Sequence, residues 1–284
     1  MLRARRIFTQ IQEKYLKDSR VFVSVVPDKG YYLAEGNGYL AMDYERLFQI
    51  MSGMKGTTYI PLADCLNGSD YYATDTHWRQ EKLFTAAQRL CNYMGVDIPK
   101  QEQYRATKVA APFYGVYYGQ AALPIQPDTL YTLQSEILEQ CTVYNYETGT
   151  TGSVYDWQKL TENDLYEVFL SGSVSLLRID NPNASTDREL IVFRDSFGSS
   201  IAPLLVPPRM RYIHSACSFD TTGYPHFFSI SLWCIFGVTI VMLSKVLTNS
   251  RISGNSNPVS LYSPTRSGYS WRHRCISTVL SLPP

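Results

Sequence analysis

The sequence is short of the features that advertise the commoner functions. Its 284 residues carry a net charge of +1, so the basic excess that nucleic-acid phosphates require is missing and no nucleic-acid partner is expected. It has no glycine-rich phosphate loop; Gly36-Asn37-Gly38 is a lone Gly-x-Gly and reads as a turn. The six cysteines (Cys65, Cys91, Cys141, Cys217, Cys234 and Cys275) show no Cys-x-x-Cys pair and no ligand spacing. That pattern suggests neither a zinc site nor a disulfide framework, and it leaves buried free thiols as the plain reading. Histidine is scarce: His77 stands alone in the first 206 residues, and His214, His226 and His273 follow. The opening Met-Leu-Arg-Ala-Arg-Arg has charge but no apolar stretch behind it, so no signal peptide is expected. No cofactor and no metal are expected. A cation facing Asp75, His77 and Glu81 would lack further histidine ligands.

What the chain does have is a normal apolar share, 45%, which suits a folded α/β domain. It also has 22 tyrosines, amphipathic side chains that wall cores and clefts alike. Residues 4–16 repeat apolar positions at helical spacing. Residues 20–26 form a β-branched run that reads as a buried parallel strand ended by Pro27. A capped helix over 43–51 and a short strand over 57–62 follow. Residues 79–94 give a clear amphipathic helix stopped by Gly95. Strands are expected over 175–179 and 189–193, and a helix start over 201–205. This alternation predicts an α/β fold with a central, mostly parallel sheet. Residues 99–161, polar and tyrosine-rich with several prolines, are expected to be an irregular insertion beside a cleft.

Two stretches carry chemistry. Thr74-Asp75-Thr76-His77-Trp78 offers a carboxylate and an imidazole two residues apart, in the loop leading into the 79–94 helix. Phe193-Arg194-Asp195-Ser196-Phe197-Gly198 sets a serine between an apolar strand and a helix start. A strand, a serine on a turn and a helix lift a hydroxyl to the edge of a sheet. Together these stretches supply acid, base and nucleophile for acyl transfer. Each residue also has a plainer reading: Ser196 as a helix cap, His77 as a packed side chain, Asp75 as an Asx-turn residue. Arg194 could meet an acidic glycan or pair with Asp195. The Ser196 amide and the Gly172 region are candidate oxyanion donors.

These two stretches, with Tyr71-Tyr72, Val26-Pro27-Asp28-Lys29, Phe169-Leu170-Ser171-Gly172 and Ile179-Asp180-Asn181-Pro182, resemble the bacterial DHHW-type proteins of the SGNH-hydrolase-like group, which includes the alginate O-acetylation proteins. The resemblance spans about residues 1–206. It implies a three-layer α/β fold with Ser196 as nucleophile, His77 as base and Asp75 as the orienting carboxylate. Gly172, Arg194 and Trp78 are the candidates for the substrate-binding or oxyanion side. It further implies acetyl transfer or ester hydrolysis on cell-surface or exopolysaccharide glycans, outside the cytoplasm, and admits a membrane-bound acetyl-donor partner. Read this way, residues 1–206 are one domain, N-terminally truncated. The rivals are a non-catalytic glycan-binding domain and an inactive, truncated or frame-shifted product.

The remainder, residues 207–284, is different material. It holds seven of the 26 basic residues but one of the 25 acidic ones, close to +6, against about −5 for the first 206. An irregular or non-native tail is expected there. Its uncharged run over 227–244 has the length of a marginal membrane span, so membrane contact of the tail is the third open reading.

Overall fold

A computed structural model of the chain describes residues 2–98, 100–121, 124–206, 210–217 and 239–244. Its helices are α1 (Leu2–Tyr15), α2 (Lys29–Leu33), α3 (Tyr44–Ser52), α4 (Phe84–Met94), α5 (Val116–Ala121), α6 (Glu136–Gln140) and α7 (Phe197–Ile201). Its strands are β1 (Val21–Val26), β2 (Thr57–Tyr59), β3 (Arg105–Phe113), β4 (Asp128–Gln134), β5 (Thr142–Asn145), β6 (Thr150–Gly152), β7 (Leu176–Asp180), β8 (Arg188–Arg194), β9 (Met210–Cys217) and β10 (Thr239–Ser244). Local chemistry accounts for the boundaries. Asp43 caps α3 by accepting from the Arg46 N–H. Gly95 ends α4 with a left-handed φ of 70°, a conformation that costs a residue with a Cβ.

Every residue of β1 is buried, because both faces of the strand are covered. Val21, Val23 and Val25 point to a core shared with Ala4 and Phe8 of α1 and Leu47 and Met51 of α3. Phe22 and Val26 point the other way, into a larger core with Leu90, Cys91 and Met94 of α4 and Ile201 of α7. The period-2 alternation of the strand therefore puts helices on both sides of the sheet. The thiols behave as expected of structural cysteines: Cys91 and Cys141 are free and buried, and burial pushes each up to about 12.

The main sheet runs in the order β2-β1-β10-β8-β9-β7-β5-β6, and β3 and β4 form a separate two-stranded sheet. The expected mostly parallel arrangement does not hold. Only β1–β2 and β8–β9 pair in parallel; β10 is antiparallel to both β1 and β8, and β7 pairs antiparallel with β9 and β5. The reason is topological. The β5–β6 hairpin has a short connection, which can join only antiparallel strands. Even so, β1, β2, β8 and β9 share one direction, so the segments after β1 and after β8 leave at the same edge.

Two further expectations are corrected. Residues 99–161 are not an irregular insertion: they hold the β3–β4 ladder, α5 and α6, and they send β5 and β6 into the main sheet. Nor does an irregular tail begin at residue 207, since Met210–Cys217 lies between β8 and β7 and Thr239–Ser244 between β1 and β8. Backbone pairing makes these strands where composition gave no signal. Most of the 227–244 run lies outside the described residues, and its last six residues are a strand. Among the described residues no helix is long and apolar enough to cross a membrane.

A chain ending at Val206 loses β9 and β10 and exposes the paired edges of β1, β7 and β8, whose ladder bonds are then unmade. It is expected to lose its cooperative thermal transition in circular dichroism. A truncated chain melting within a few degrees of the full one would show that β9 and β10 are dispensable.

Candidate active site

The 71–79 loop is held as a closed unit. Tyr71 pairs with Trp78, the Tyr72 N–H donates to the His77 carbonyl, and the Arg79 N–H donates to the Asp70 carbonyl. Three outside groups fix it. The Lys29 ammonium, one residue beyond the Asp28 cap of α2, donates to the Tyr72 and Asp75 carbonyls at 2.6 and 2.7 Å. Burial holds that ammonium below the usual lysine range, with the charges of Asp75 and Asp128 opposing the shift. The Asp128 carboxylate accepts from the Ala73 and Thr74 N–H groups and the Thr74 hydroxyl, and it pairs with Arg79 at 2.9 Å. The Tyr71 hydroxyl donates to the Pro27 carbonyl just after β1.

This frame presents Asp75 and His77. Asp75 is 1% exposed, and a carboxylate removed from water must be compensated by donors. Its Oδ1 accepts from the His77 N–H at 2.9 Å and from the His77 Nδ1 at 2.5 Å; its Oδ2 accepts from the Val116 N–H at 3.0 Å. Burial opposes ionisation of Asp75, but the His77 hydrogen bonds and charge and the Val116 N–H outweigh it, so the carboxyl sits below its ordinary range. An ionised carboxylate only accepts, so Nδ1 carries the proton and Nε2 presents its lone pair. That lone pair faces the Ser196 hydroxyl at 2.7 Å, across 119 residues of sequence.

Ser196 lies between β8 and α7. The Asp195 carboxylate accepts from the Phe197 N–H, and the Asp195 carbonyl accepts from the Gly198 N–H. The imidazole plane is set by Tyr166, stacked on it at 3.9 Å between centroids and 10° between planes, and by Phe197 at 4.9 Å. The Tyr166 hydroxyl donates to Ser200 Oγ, which also receives the Trp78 indole N–H. One hydroxyl in α7 thus ties together the loop, the serine turn and the ring that backs the histidine.

The structure brings Asp75, His77 and Ser196 together and gives the three remaining expected residues other work. Trp78 is fully buried, and its N–H is committed to Ser200 and the Phe197 carbonyl, so it offers nothing to a substrate. Arg194 is buried too. Its guanidinium donates to Ser215, Ser199 and the carbonyls of Asp195 and Gly172, and so locks β8 to β9 and α7 instead of meeting a glycan. Gly172 cannot serve as an oxyanion donor, because its N–H is bonded to the Phe169 carbonyl inside a turn whose residues Leu170, Ser171 and Gly172 all have positive φ. Gly198 is the glycine that Arg194 requires, since a Cβ there would lie 2.4 Å from the Arg194 Cβ.

Sequence reading missed Gly115, Val116, Asp128 and Tyr166. Asp128 did leave a trace, as the one charged residue between Lys108 and Glu136. Gly115 left none: its necessity comes from Asp75, whose carboxylate would lie 2.3 Å from a Cβ at that position. Among the described residues no cluster of three or more histidine, cysteine, aspartate or glutamate side chains is arranged to hold a metal.

Two predictions follow from this geometry. Gly115→Ala drives a methyl group into Asp75; a shift near 1 Å at a reacting group can cost about 100-fold in rate, and overpacking costs about 1–3 kcal/mol in stability. Ester turnover and thermal melting test it, and unchanged turnover would mean that Asp75 does not set the rate. The second concerns acid. Asp75 titrates lower in the fold than in the unfolded chain, so its contribution is present above the ordinary carboxylate value and is lost as pH falls below that value through the lowered one. Melting temperatures of Asp75→Asn should depend less on pH in that range than those of the native chain; equal slopes would refute the assignment.

Comparison with known proteins agrees with the architecture. The chain resembles the solved DHHW family protein of Eubacterium siraeum at 21% identity and a TM-score of 0.63, over 80% of this chain and 78% of that one. It resembles Bacillus cereus PatB1 at 15% identity and a TM-score of 0.57, over 78% and 81%, and the PatB1 structure with a sulfonyl adduct at 16% and 0.56, over 81% of each chain. At these identities the likeness establishes the fold. No curated protein matches the chain. The model of the DHHW protein family matches residues 45–211, more than half of the sequence, and the chain belongs to that family.

Proposed function

We propose that this protein is a serine-dependent acyltransferase or esterase of SGNH-hydrolase-like type, moving acetyl groups on cell-surface or exopolysaccharide glycans outside the cytoplasm. One observation carries the reading: the unbroken chain from the Asp75 carboxylate through the His77 imidazole to the Ser196 hydroxyl, at 2.5 and 2.7 Å. An arrangement of this kind has a defined chemistry. His77 Nε2 takes the Ser196 proton as Oγ attacks an acetyl carbonyl. The tetrahedral intermediate collapses with the proton passing from His77 to the leaving oxygen, and an acetyl-serine remains. A glycan hydroxyl or water, deprotonated by His77, then attacks the acetyl carbonyl and restores the Ser196 hydroxyl. Asp75 keeps the proton on Nδ1 and stabilises the imidazolium formed in each half-reaction. The Tyr166 ring prevents the imidazole from rotating out of line.

With the Gly172 and Phe197 N–H groups engaged elsewhere, the Ser196 N–H is the donor assigned to the oxyanion. The acetyl group would be supplied by a membrane-bound donor partner. The family and the PatB1 likeness support the fold on which this reading rests. PatB1 is also known with a sulfonyl adduct, and sulfonyl electrophiles capture activated hydroxyls, which suggests the direct test.

A phenylmethylsulfonyl reagent should add to Ser196, located by peptide mass spectrometry, and His77→Ala should suppress the labelling. Ser196→Ala and His77→Ala should each remove aryl-acetate hydrolysis, by about 10⁴-fold or more, and the double variant should be little worse, because members of such a unit are not additive. Labelling at another residue, or losses that multiply in the double variant, would overturn the reading.

A further inference from the structure

The segment that fixes Asp75 also carries an exposed aromatic pair. Val116 donates its N–H to the Asp75 carboxylate, and the Tyr117 N–H donates to the Thr74 carbonyl. Two residues to either side of Val116, Tyr114 and Tyr118 are 43% and 37% exposed, and their rings meet at 4.3 Å between centroids. Two residues of chain reach about 7 Å, so the backbone of both tyrosines lies close to the Asp75 end of the site. The segment that carries the pair is itself uncharged. From Val109 to Pro127 the sequence has no Asp, Glu, Lys or Arg. The Lys29 ammonium lies 4.5 Å from the Tyr117 ring and is committed to the Tyr72 and Asp75 carbonyls. α5 buries none of its residues, so the pair is held out by the backbone contacts to the 71–79 loop and not by packing into the core.

We propose that Tyr114 and Tyr118 form the platform for the acceptor sugar, and that the sugar is an uncharged pyranoside. The proposal rests on the acyl-transfer reading above and specifies its acceptor. A tyrosine ring offers an apolar face to the C–H face of a pyranose and a hydroxyl at its rim to the sugar hydroxyls. A uronate would bring a carboxylate onto this surface, where no free cation of the 109–127 segment would meet it, and would be desolvated without compensation. Stacking beside Val116 delivers a sugar hydroxyl toward the acyl group on Ser196, and the same backbone that grips the acceptor holds Asp75 in line.

The test is binding, read separately from catalysis. Ser196→Ala protein is titrated with a neutral N-acetylglucosamine tetramer and with a mannuronate tetramer, following tyrosine fluorescence and amide shifts of residues 114–118. The neutral tetramer should bind, with the mannuronate tetramer at least about tenfold weaker. Tyr114→Ala with Tyr118→Ala should weaken the neutral ligand by about tenfold or more, as loss of two aromatic contacts predicts. Phenylalanine at both positions should keep affinity within about threefold, which separates the loss of the rings from a folding defect. The proposal falls if the tetramer does not bind, if the mannuronate binds equally well, or if the alanine pair leaves binding unchanged. It falls equally if zwitterionic lipid vesicles, and not the sugar, shift residues 114–118. Ester hydrolysis by the native chain that survives Ser196→Ala would defeat the acyl-transfer reading while leaving the sugar titration interpretable.

Discussion

The site depends on a carboxylate taken out of water. Asp75 is nearly inaccessible, and isolated it would be neutral; three N–H donors, two on His77 in its own loop and one on the distant Val116, keep it ionised. Because it is ionised, it can only accept, and that fixes the tautomer of His77 and turns the basic nitrogen toward Ser196. Removing one donor would leave a buried charge undercompensated, which is far costlier than the loss of a surface contact. The close approach of Gly115, the placement of Val116 and the closure of the 71–79 loop all serve this one group.

Around it stands a frame that does no chemistry itself. Asp128 and Lys29 anchor the loop from opposite signs of charge, one taking its N–H groups and the other its carbonyls. The Asp128–Arg79 pair is well buried on the carboxylate side, and breaking such a pair typically costs about 3–5 kcal/mol. Ser200 joins the two halves by receiving both the Trp78 and Tyr166 donors. Trp78 and Arg194 stand within two residues of the reacting groups in sequence, and both are spent on holding them in position. Adjacency to a functional residue marked them for attention but did not give them its role.

The sheet supplies the geometry in which these loops can meet. Strands β1 and β8 run in the same direction on either side of the antiparallel β10. Lys29 and Ser196 therefore emerge at one edge, although 167 positions separate them. The antiparallel strands added by β5, β6 and β7 widen the sheet without disturbing that edge.

Several features of this protein were determined locally and could be read from the chain. The β-branched run of β1 buries both faces, the apolar stripe of α4 ends at Gly95, and Asp75 and His77 lie close enough for one loop to pair them. Each depends on spacing within a few residues, where periodicity and short-range reach decide. Other features depend on which segments pass near one another, and nothing local records that. The alternation of helices and strands predicts a mostly parallel sheet, but strand-like runs carry no mark of direction; pairing partners set direction, and the fold made most of them antiparallel. Composition set residues 207 onward apart, yet β9 and β10 are held by backbone hydrogen bonds that are indifferent to charge. Gly172 has a free-looking amide in the sequence, but its turn consumes it. Gly115 is one glycine among seventeen until the tertiary structure brings Asp75 against it. The sequence names the groups that can accept, donate and attack; long-range packing alone decides which of them are taken out of water, and so which must be paired and which are left to act.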